Sequence, residues 1–395
     1  MTLPLKHLFN LPDGVIYLDG NSLGPLPKHL PDRLNNMVTT EWGAHLITAW
    51  NIDGWMAAPT GLGDRIGALI GAAPGSTTLG DTLSIKVYQA LSAALELRSD
   101  RRVILSDTGN FPTDLYMAEG LIRSLDKGHR LETVAPNTIE QAITEDTAAV
   151  LLTEVDYRTG RRHDMAQITR AAHAMGAVMI WDLAHSAGAV DVDFVGSNAE
   201  FAVGCTYKYL NAGPGAPAFI TVRPDLVDRI QPALAGWLGH EAPFAFEPHY
   251  RPGAGIERMR VGTPPVLQMA ALDAALDVWE GLEMSEVQRA SIALSERFIA
   301  EVEATCPELR LASPRNPSER GSHVSFHFEH GYAAMQALIA RGVIGDFRAP
   351  DIMRFGITPL FLDETDIVAA VKVLSDVLAH RQWDRPEYFR KEAVT

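Results

Sequence analysis

The chain has few cysteines, few positive charges and no long apolar run, and each shortage excludes a class of function. Two cysteines in 395 residues, Cys205 and Cys306, cannot build a disulfide framework or a metal set, so a reduced cytoplasm is expected and no metal is. Lys and Arg number 34 against 49 Asp and Glu, a net charge of −15 at pH 7. That balance argues against nucleic acid and anionic membranes as partners. No apolar run approaches the length of a membrane span, and residues 1–14 lack the apolar stretch of a signal peptide. Internal repeats, low-complexity tracts and long linkers are absent too. What remains is 47% hydrophobic and 21% charged, an ordinary globular composition long enough for two cores.

The informative stretch is 179–220. Residues 178–181 are apolar and end in Asp182, with His185 three positions on. Residues 201–205 form a second apolar run, ending in Thr206-Tyr207-Lys208-Tyr209. A carboxylate and an amine therefore close neighbouring buried strands, where open α/β sheets bind ligands. A lone Lys after a strand is usually solvated, and a lone Asp there is usually a cap. Lys208 instead lies between two tyrosines and ahead of Gly213-Pro214-Gly215, unusual company for a surface lysine. Pyridoxal phosphate needs this pair: an amine for its aldehyde and an acid to keep its pyridine nitrogen protonated.

Other segments acquire meaning from that pair. Gly80-Asp81-Thr82-Leu83-Ser84 opens an amphipathic helix whose free N–H groups suit a phosphate, although capping by Asp81 or Thr82 explains it equally well in isolation. A strand at 103–105 leads to Asn110-Phe111-Pro112-Thr113-Asp114, where Phe111 either lies on a flat ring or staples a helix start. The strand 149–153 ends at Thr153. Trp237 and Thr263 sit in Gly- and Pro-flanked loops that are either plain turns or phosphate donors. Arg354, inside a strand, makes either an edge salt bridge or a fork for an α-carboxylate. Trp50 belongs to a Trp-rich stretch, 41–55, that packs on a helix or walls an aromatic substrate.

Three tempting motifs fail. Gly20, Ser22 and Gly24 fit a nucleophile elbow, but only one short strand precedes Ser22, and Pro25 and Pro27 delay the helix. A Gly-rich turn lining the site is the better reading. Gly61, Gly63 and Gly67 lack dinucleotide spacing. His323 and His327 lie four apart on an alternating strand, roughly 13 Å, too far for one ion; they are expected to face solvent.

Strands alternating with helices predict an α/β fold with a mostly parallel, mixed sheet covered on both faces, plus a smaller α+β domain. Residues 217–222 are expected at the sheet edge, and two helices around a small antiparallel sheet are expected from about 282. The expected division is 1–45, contributing to the small domain and the site entrance; 46–280, the large cofactor domain; and 281–395, the small domain.

With these residues in place, the chain resembles the kynureninases, bacterial forms especially, which are fold-type I pyridoxal phosphate enzymes of the aminotransferase class V group. The likeness runs from Tyr17-Leu18-Asp19-Gly20-Asn21-Ser22-Leu23-Gly24 to Arg354. Asp182, His185 and Lys208 are generic to class V. Tyr207-Lys208-Tyr209-Leu210-Asn211, Phe111-Pro112-Thr113-Asp114 and Gly236-Trp237-Leu238-Gly239-His240 are more specific. The resemblance implies a hydrolase that cleaves kynurenine, or its 3-hydroxy form, to the anthranilate and L-alanine, in tryptophan catabolism or NAD biosynthesis. Lys208 would hold the cofactor, Asp182 would face its ring nitrogen with His185 nearby, and Phe111 would stack on the ring. Pro112, Thr113, Asp114 and Thr153 would surround the ring. Leu83, Ser84, Tyr207, Trp237 and Thr263 would bind the phosphate. Lys208, Tyr207 and Asp182 would be catalytic, and Arg354, Ser22 and Trp50 would meet the substrate. A homodimer with shared active sites is implied. The alternatives are a desulfurase-like β-lyase, an aminotransferase, or a non-catalytic pyridoxal phosphate protein on the same fold.

Overall fold

The computed structural model describes Leu3 and residues 5–391; the ends of the N-terminal segment and of the tail from Gln382 lie outside the described residues. Seven strands form the main sheet: β1 (Thr77–Leu79), β2 (Val103–Asp107), β3 (Arg130–Val134), β4 (Thr147–Thr153), β5 (Val178–Asp182), β6 (Phe201–Gly204) and β7 (Phe219–Val222). Their spatial order is β1-β7-β6-β5-β4-β2-β3. The five strands from β6 to β3 run parallel, and only β7 is reversed. Every residue of β4, β5 and β6 is buried, as a parallel sheet covered on both faces requires.

Strand β7 is not at the edge, as the sequence suggested, but lies between β6 and β1. The short run 77–79 is itself a strand, and its Thr77 hydroxyl meets that of Thr221 on β7 at 2.9 Å. Two successive antiparallel pairings restore the parallel sense in β1. The helix after it, α1 (Leu83–Leu97), therefore starts on the same sheet edge as Asp182. Helix α2 (Pro112–Leu125) starts there too, after β2. Helix α3 (Met165–Ala174) is capped by the Asp164 carboxylate accepting from Gln167 N–H at 2.8 Å, a device that stabilises a helix by about 1 kcal/mol.

The C-terminal part builds a second antiparallel sheet from β8 (Arg310–Leu311), β9 (His323–His327), β10 (Asp346–Arg348) and β11 (Ile352–Gly356), in the order β8-β9-β11-β10. Three helices cover it rather than two: α4 (Met284–Thr305), α5 (Gly331–Ile339) and α6 (Glu364–Ala379). Near the N-terminus, Ile16–Tyr17 pairs in parallel with Val343–Ile344, which sets residues 16–24 beside this sheet. Among the described residues, no helix is long and apolar enough to cross a membrane.

His323 corrects a second expectation. It is 0% exposed, and its ring centroid lies 5.6 Å from that of His185. Strand alternation separates two faces but does not say which is covered. The His323 face is covered by the large domain, where Ser325 Oγ, on the same face, donates to the Arg158 carbonyl at 2.6 Å. His327, at the strand end, is half-buried and bonds Asp351 at 2.9 Å.

Candidate active site

Strand β5 delivers Asp182 to the sheet edge. One carboxylate oxygen accepts the Ala184 N–H at 2.9 Å, and the other meets Thr153 Oγ1 at 3.4 Å. Thr153 also donates to Asn110 Oδ1, and Asn110 Nδ2 donates to Ser106 Oγ at 2.9 Å. The ends of three adjacent strands are thus knitted into one polar floor. Asp114, in the first turn of α2, is buried beside Asp182. Burial, and then the Asp182 charge, hold its carboxyl well above the usual range, so Asp114 keeps a proton to share with Asp182. Burial also raises Asp182, to about 6, against the pull of Lys208, the Ala184 N–H, Thr153 and Asp114.

Lys208 hangs over this floor on the turn after β6. Its Nζ is 3.2 Å from His185 Nε2 and 5.7 Å from the centre of the Tyr207 ring. Burial, followed by the charges of Lys208 and Arg354, holds His185 well below its usual value, so the imidazole is neutral and accepts from the amine. Burial raises the Tyr207 phenol, which therefore stays protonated.

The turn itself is fixed from both sides. Thr206 Oγ1 donates to the Pro217 carbonyl at 2.7 Å, and Gly24 N–H donates to the Tyr207 carbonyl at 2.8 Å. A Cβ at Gly24 would collide with the Lys208 carbonyl and the Asn211 side chain. This explains the Gly-x-Ser-x-Gly pattern. The glycine lets the N-terminal loop touch the Lys208 turn, and Ser22 bonds Asp346 and Arg354, not a histidine base.

Arg354 lies on β11, fully buried between β9 and β10 rather than at an edge. Asp346 and Ser22 hold its guanidinium, and its charge is felt at His185. The Lys208 amine is thus felt at Asp182 and, with the Arg354 guanidinium, at His185, so the two sheets bring these groups into one electrostatic neighbourhood.

The donor set fits pyridoxal phosphate. Asp114 Oδ2 and His185 Nδ1 are buried polar atoms without a hydrogen-bond partner among the described residues, and an aromatic cofactor with polar substituents would cover them. The Thr82 side chain does not cap α1, so the N–H groups of its first turn are open to an anion. Phe111 presents a ring that is 41% exposed, held edge-on by Tyr157 at 5.2 Å.

The comparisons agree with this architecture. A family model described as "Kynureninase C-terminal domain" matches residues 287–374, and the DegT/DnrJ/EryC1/StrS aminotransferase family matches residues 90–208. A curated kynureninase from Pseudomonas fluorescens is 48% identical over 99% of this chain and 96% of its own length. The chain belongs to the kynureninase family. The Burkholderia pseudomallei kynureninase is 47% identical over the same shares. Among solved structures, a cysteine desulfurase from Thermococcus onnurineus superposes with TM-score 0.80 at 18% identity, over 96% of this chain and 99% of its own. A C-DES variant with glycine covalently linked to its PLP cofactor superposes with TM-score 0.81 at 20% identity, over 95% and 100%. These likenesses show a fold-type I large domain joined to a smaller α+β domain.

Within this kynureninase-family chain, not every expected residue converges. Lys208, Tyr207, His185, Asp182, Asp114 and Thr153 form one cluster, and Arg354 with Ser22 a second beside it. Leu83 and Ser84 begin α1, and Pro112 and Thr113 begin α2, on the same edge. Thr263 lines a small crevice with Gly80 and Asp81. Trp237 is exposed, with its indole donating to the Pro243 carbonyl and Phe244 and Phe246 against its ring. Trp50 packs edge-on against Trp55 at 5.7 Å, with no contact to Lys208 or Arg354 among the described residues. Sequence reasoning gave no role to Asp346, Arg348 or Asn110. Asn110 alone carried a signal, as the residue immediately before Phe111-Pro112-Thr113-Asp114.

Proposed function

We propose that this chain is a pyridoxal phosphate-dependent hydrolase that cleaves the Cβ–Cγ bond of L-kynurenine, releasing anthranilate and L-alanine. The observation that carries the reading is 48% identity over nearly the full length to a curated kynureninase, together with an amine, a buried acid and a guanidinium in one electrostatic neighbourhood. Bound pyridoxal phosphate supplies an electron sink for the charge left at the substrate's α-carbon. Lys208 would hold the cofactor through Nζ and would take the substrate's α-proton on the same atom. Asp182 would keep the cofactor's ring nitrogen protonated, and protonated Asp114 shares its hydrogen bond so that the negative charge stays on Asp182. His185, neutral, orients the Lys208 amine. Water adds to the γ-carbonyl, the Cβ–Cγ bond breaks, and the Tyr207 phenol protonates the β-carbon left on the alanine fragment.

A desulfurase needs a mobile thiol. Cys205 and Cys306 are both buried, and burial raises both thiols. This weighs against a desulfurase despite the shared fold. Incubation with L-kynurenine and pyridoxal phosphate tests the proposal: fluorescent anthranilate and equimolar alanine should appear. Their absence from confirmed holoenzyme would point to another class V reaction.

The finer reading includes activity on 3-hydroxykynurenine, a role in tryptophan catabolism or NAD biosynthesis, and a cytoplasmic location. It also divides the chain at about residues 45 and 280, with the N-terminal segment serving the small domain through its 16–17 strand. A homodimer with shared sites belongs to the same reading. An apolar groove of about 670 Å³, lined by Leu23, Leu26, Leu30, Leu34, Val38 and Leu267, opens beside Asn211 and the Lys208 turn. Burial of such a face by a second copy, with Trp237 and Thr263 reaching a partner's phosphate, accounts for the exposed aromatic loop.

A further inference from the structure

The strands around Arg354 carry a charge arrangement that an α-carboxylate alone does not require. Asp346 on β10 is the direct cross-strand partner of Arg354 on β11, and both side chains are 1% exposed. Asp346 Oδ1 accepts from Arg354 Nε at 2.7 Å, and Oδ2 accepts from Arg354 Nη2. The same Oδ2 accepts from Ser22 Oγ at 2.7 Å and pairs with Arg348 Nη2 at 2.8 Å. Three donors thus converge on Oδ2 and one on Oδ1.

A guanidinium has five N–H donors in a rigid fork. On Arg354, Nε and one Nη2 hydrogen go to Asp346, the second Nη2 hydrogen to Ser22 Oγ at 2.9 Å, and one Nη1 hydrogen to the Tyr157 carbonyl. One Nη1 hydrogen has no acceptor among the described residues. The Nε–Nη2 edge is thus closed, and only the Nη1–Nη2 edge can receive a planar anion. An incoming carboxylate would replace the neutral Ser22 Oγ as acceptor for that Nη2 hydrogen by a stronger, charge-assisted one. Asp19 stands close by, its carboxyl pushed up to about 8 by burial and by Asp346. Two guanidiniums, one ionised acid and one protonated acid leave a single positive charge in excess, which matches one α-carboxylate.

We propose that Asp346 is the positioning residue of the substrate-carboxylate site: it clamps Arg354 by the Nε–Nη2 edge and ties in Arg348 and Ser22, holding the outer edge of the fork for the α-carboxylate. This rests on the reading that Arg354 takes that carboxylate. Asp346 touches no substrate atom and acts through Arg354.

The test uses holoenzyme carrying Asp346→Asn and two ligands: L-kynurenine, and kynuramine, the same amine without its carboxylate. KM for L-kynurenine should rise about 10- to 100-fold, the scale of one charge-assisted hydrogen bond, while kynuramine binding, read from the cofactor's absorbance, stays unchanged. Equal weakening of both ligands would mark a merely structural role and overturn the assignment. Unaltered KM would also overturn it. Tighter binding of L-kynurenine would show Asp346 competing with the substrate, and would overturn it too. If Asp346→Asn does not fold, Arg348→Gln, at a side chain 34% exposed, should raise KM for L-kynurenine and leave kynuramine unaffected. Equal effects on the two ligands there count against the proposal. Arg354→Gln separates the two layers. If it preserves the preference for L-kynurenine over kynuramine, both the Arg354 reading and the Asp346 proposal fall. If it removes that preference while Asp346→Asn does not, Asp346 alone is wrongly assigned.

Discussion

Asp182 and Asp114 make a buried carboxyl pair in which the division of protons matters more than the distance to solvent. Asp114 is held protonated, and Asp182 is the easier of the two to ionise because Lys208, Thr153 and a backbone N–H all favour its charge. Asp182→Asn removes that charge while keeping the shape. It should lower kcat by about 100-fold or more, as loss of a preorganised electrostatic group does, and shift the cofactor's visible absorbance. Unchanged turnover in a steady-state assay would remove Asp182 from the mechanism. Asp19 gives a prediction in pH. Its raised carboxyl, facing Asp346, Arg354, Arg348 and Ser22, is neutral below about 8 and gains negative charge above it. KM for L-kynurenine should therefore climb above about pH 8, and Asp19→Asn should flatten that limb. A limb that survives the substitution would assign the titration to another group. The placement of Lys208 and Asp182 after buried strands was legible in the sequence because each follows a short apolar run bounded by polar residues. Asp346 was not, because its meaning depends on Ser22, more than 300 positions away in the chain.

Single elements act here mainly through their ends. Strands β2, β4, β5 and β6 deliver their next residues to one edge, and β1 delivers α1 to the same edge because β7 is antiparallel to both its neighbours. The reversal was only half legible: 217–222 read correctly as a strand, but three residues of β1 carry too little pattern to show that it has a neighbour outside it. The turn holding Lys208 depends on an element distant in sequence, the loop at Gly24. Gly24→Ala should cost about 1–3 kcal/mol of stability by overpacking and weaken cofactor binding, since the Lys208 carbonyl must move. Thermal melts and a pyridoxal phosphate titration check this. A variant matching the parent in both would show that the loop contact is dispensable.

The molecule as a whole places its amine and acid at the edge of the seven-stranded sheet and its guanidinium on the four-stranded one. The α/β class, the mixed sheet and the smaller α+β domain were all readable from strand and helix alternation. How the two domains meet was not, and His323 shows why: an alternating strand looks the same whether its polar face meets water or the other domain. Because the folded chain gathers the cofactor-binding groups and the unfolded chain does not, pyridoxal phosphate should stabilise the fold, by about 2.7 kcal/mol at a hundred times its Kd. A rise in melting temperature with cofactor concentration checks this, and its absence in Lys208→Ala would place the effect at the same site.

The most direct measurement is borohydride reduction of the holoenzyme followed by peptide mass mapping. The chain also offers a fully buried lysine, Lys86, whose ammonium burial lowers to about 8, so the outcome is a real choice. The site described here requires the reduced pyridoxyl phosphate adduct on Lys208. An adduct on Lys86 or any other lysine, with Lys208 unmodified, would contradict it.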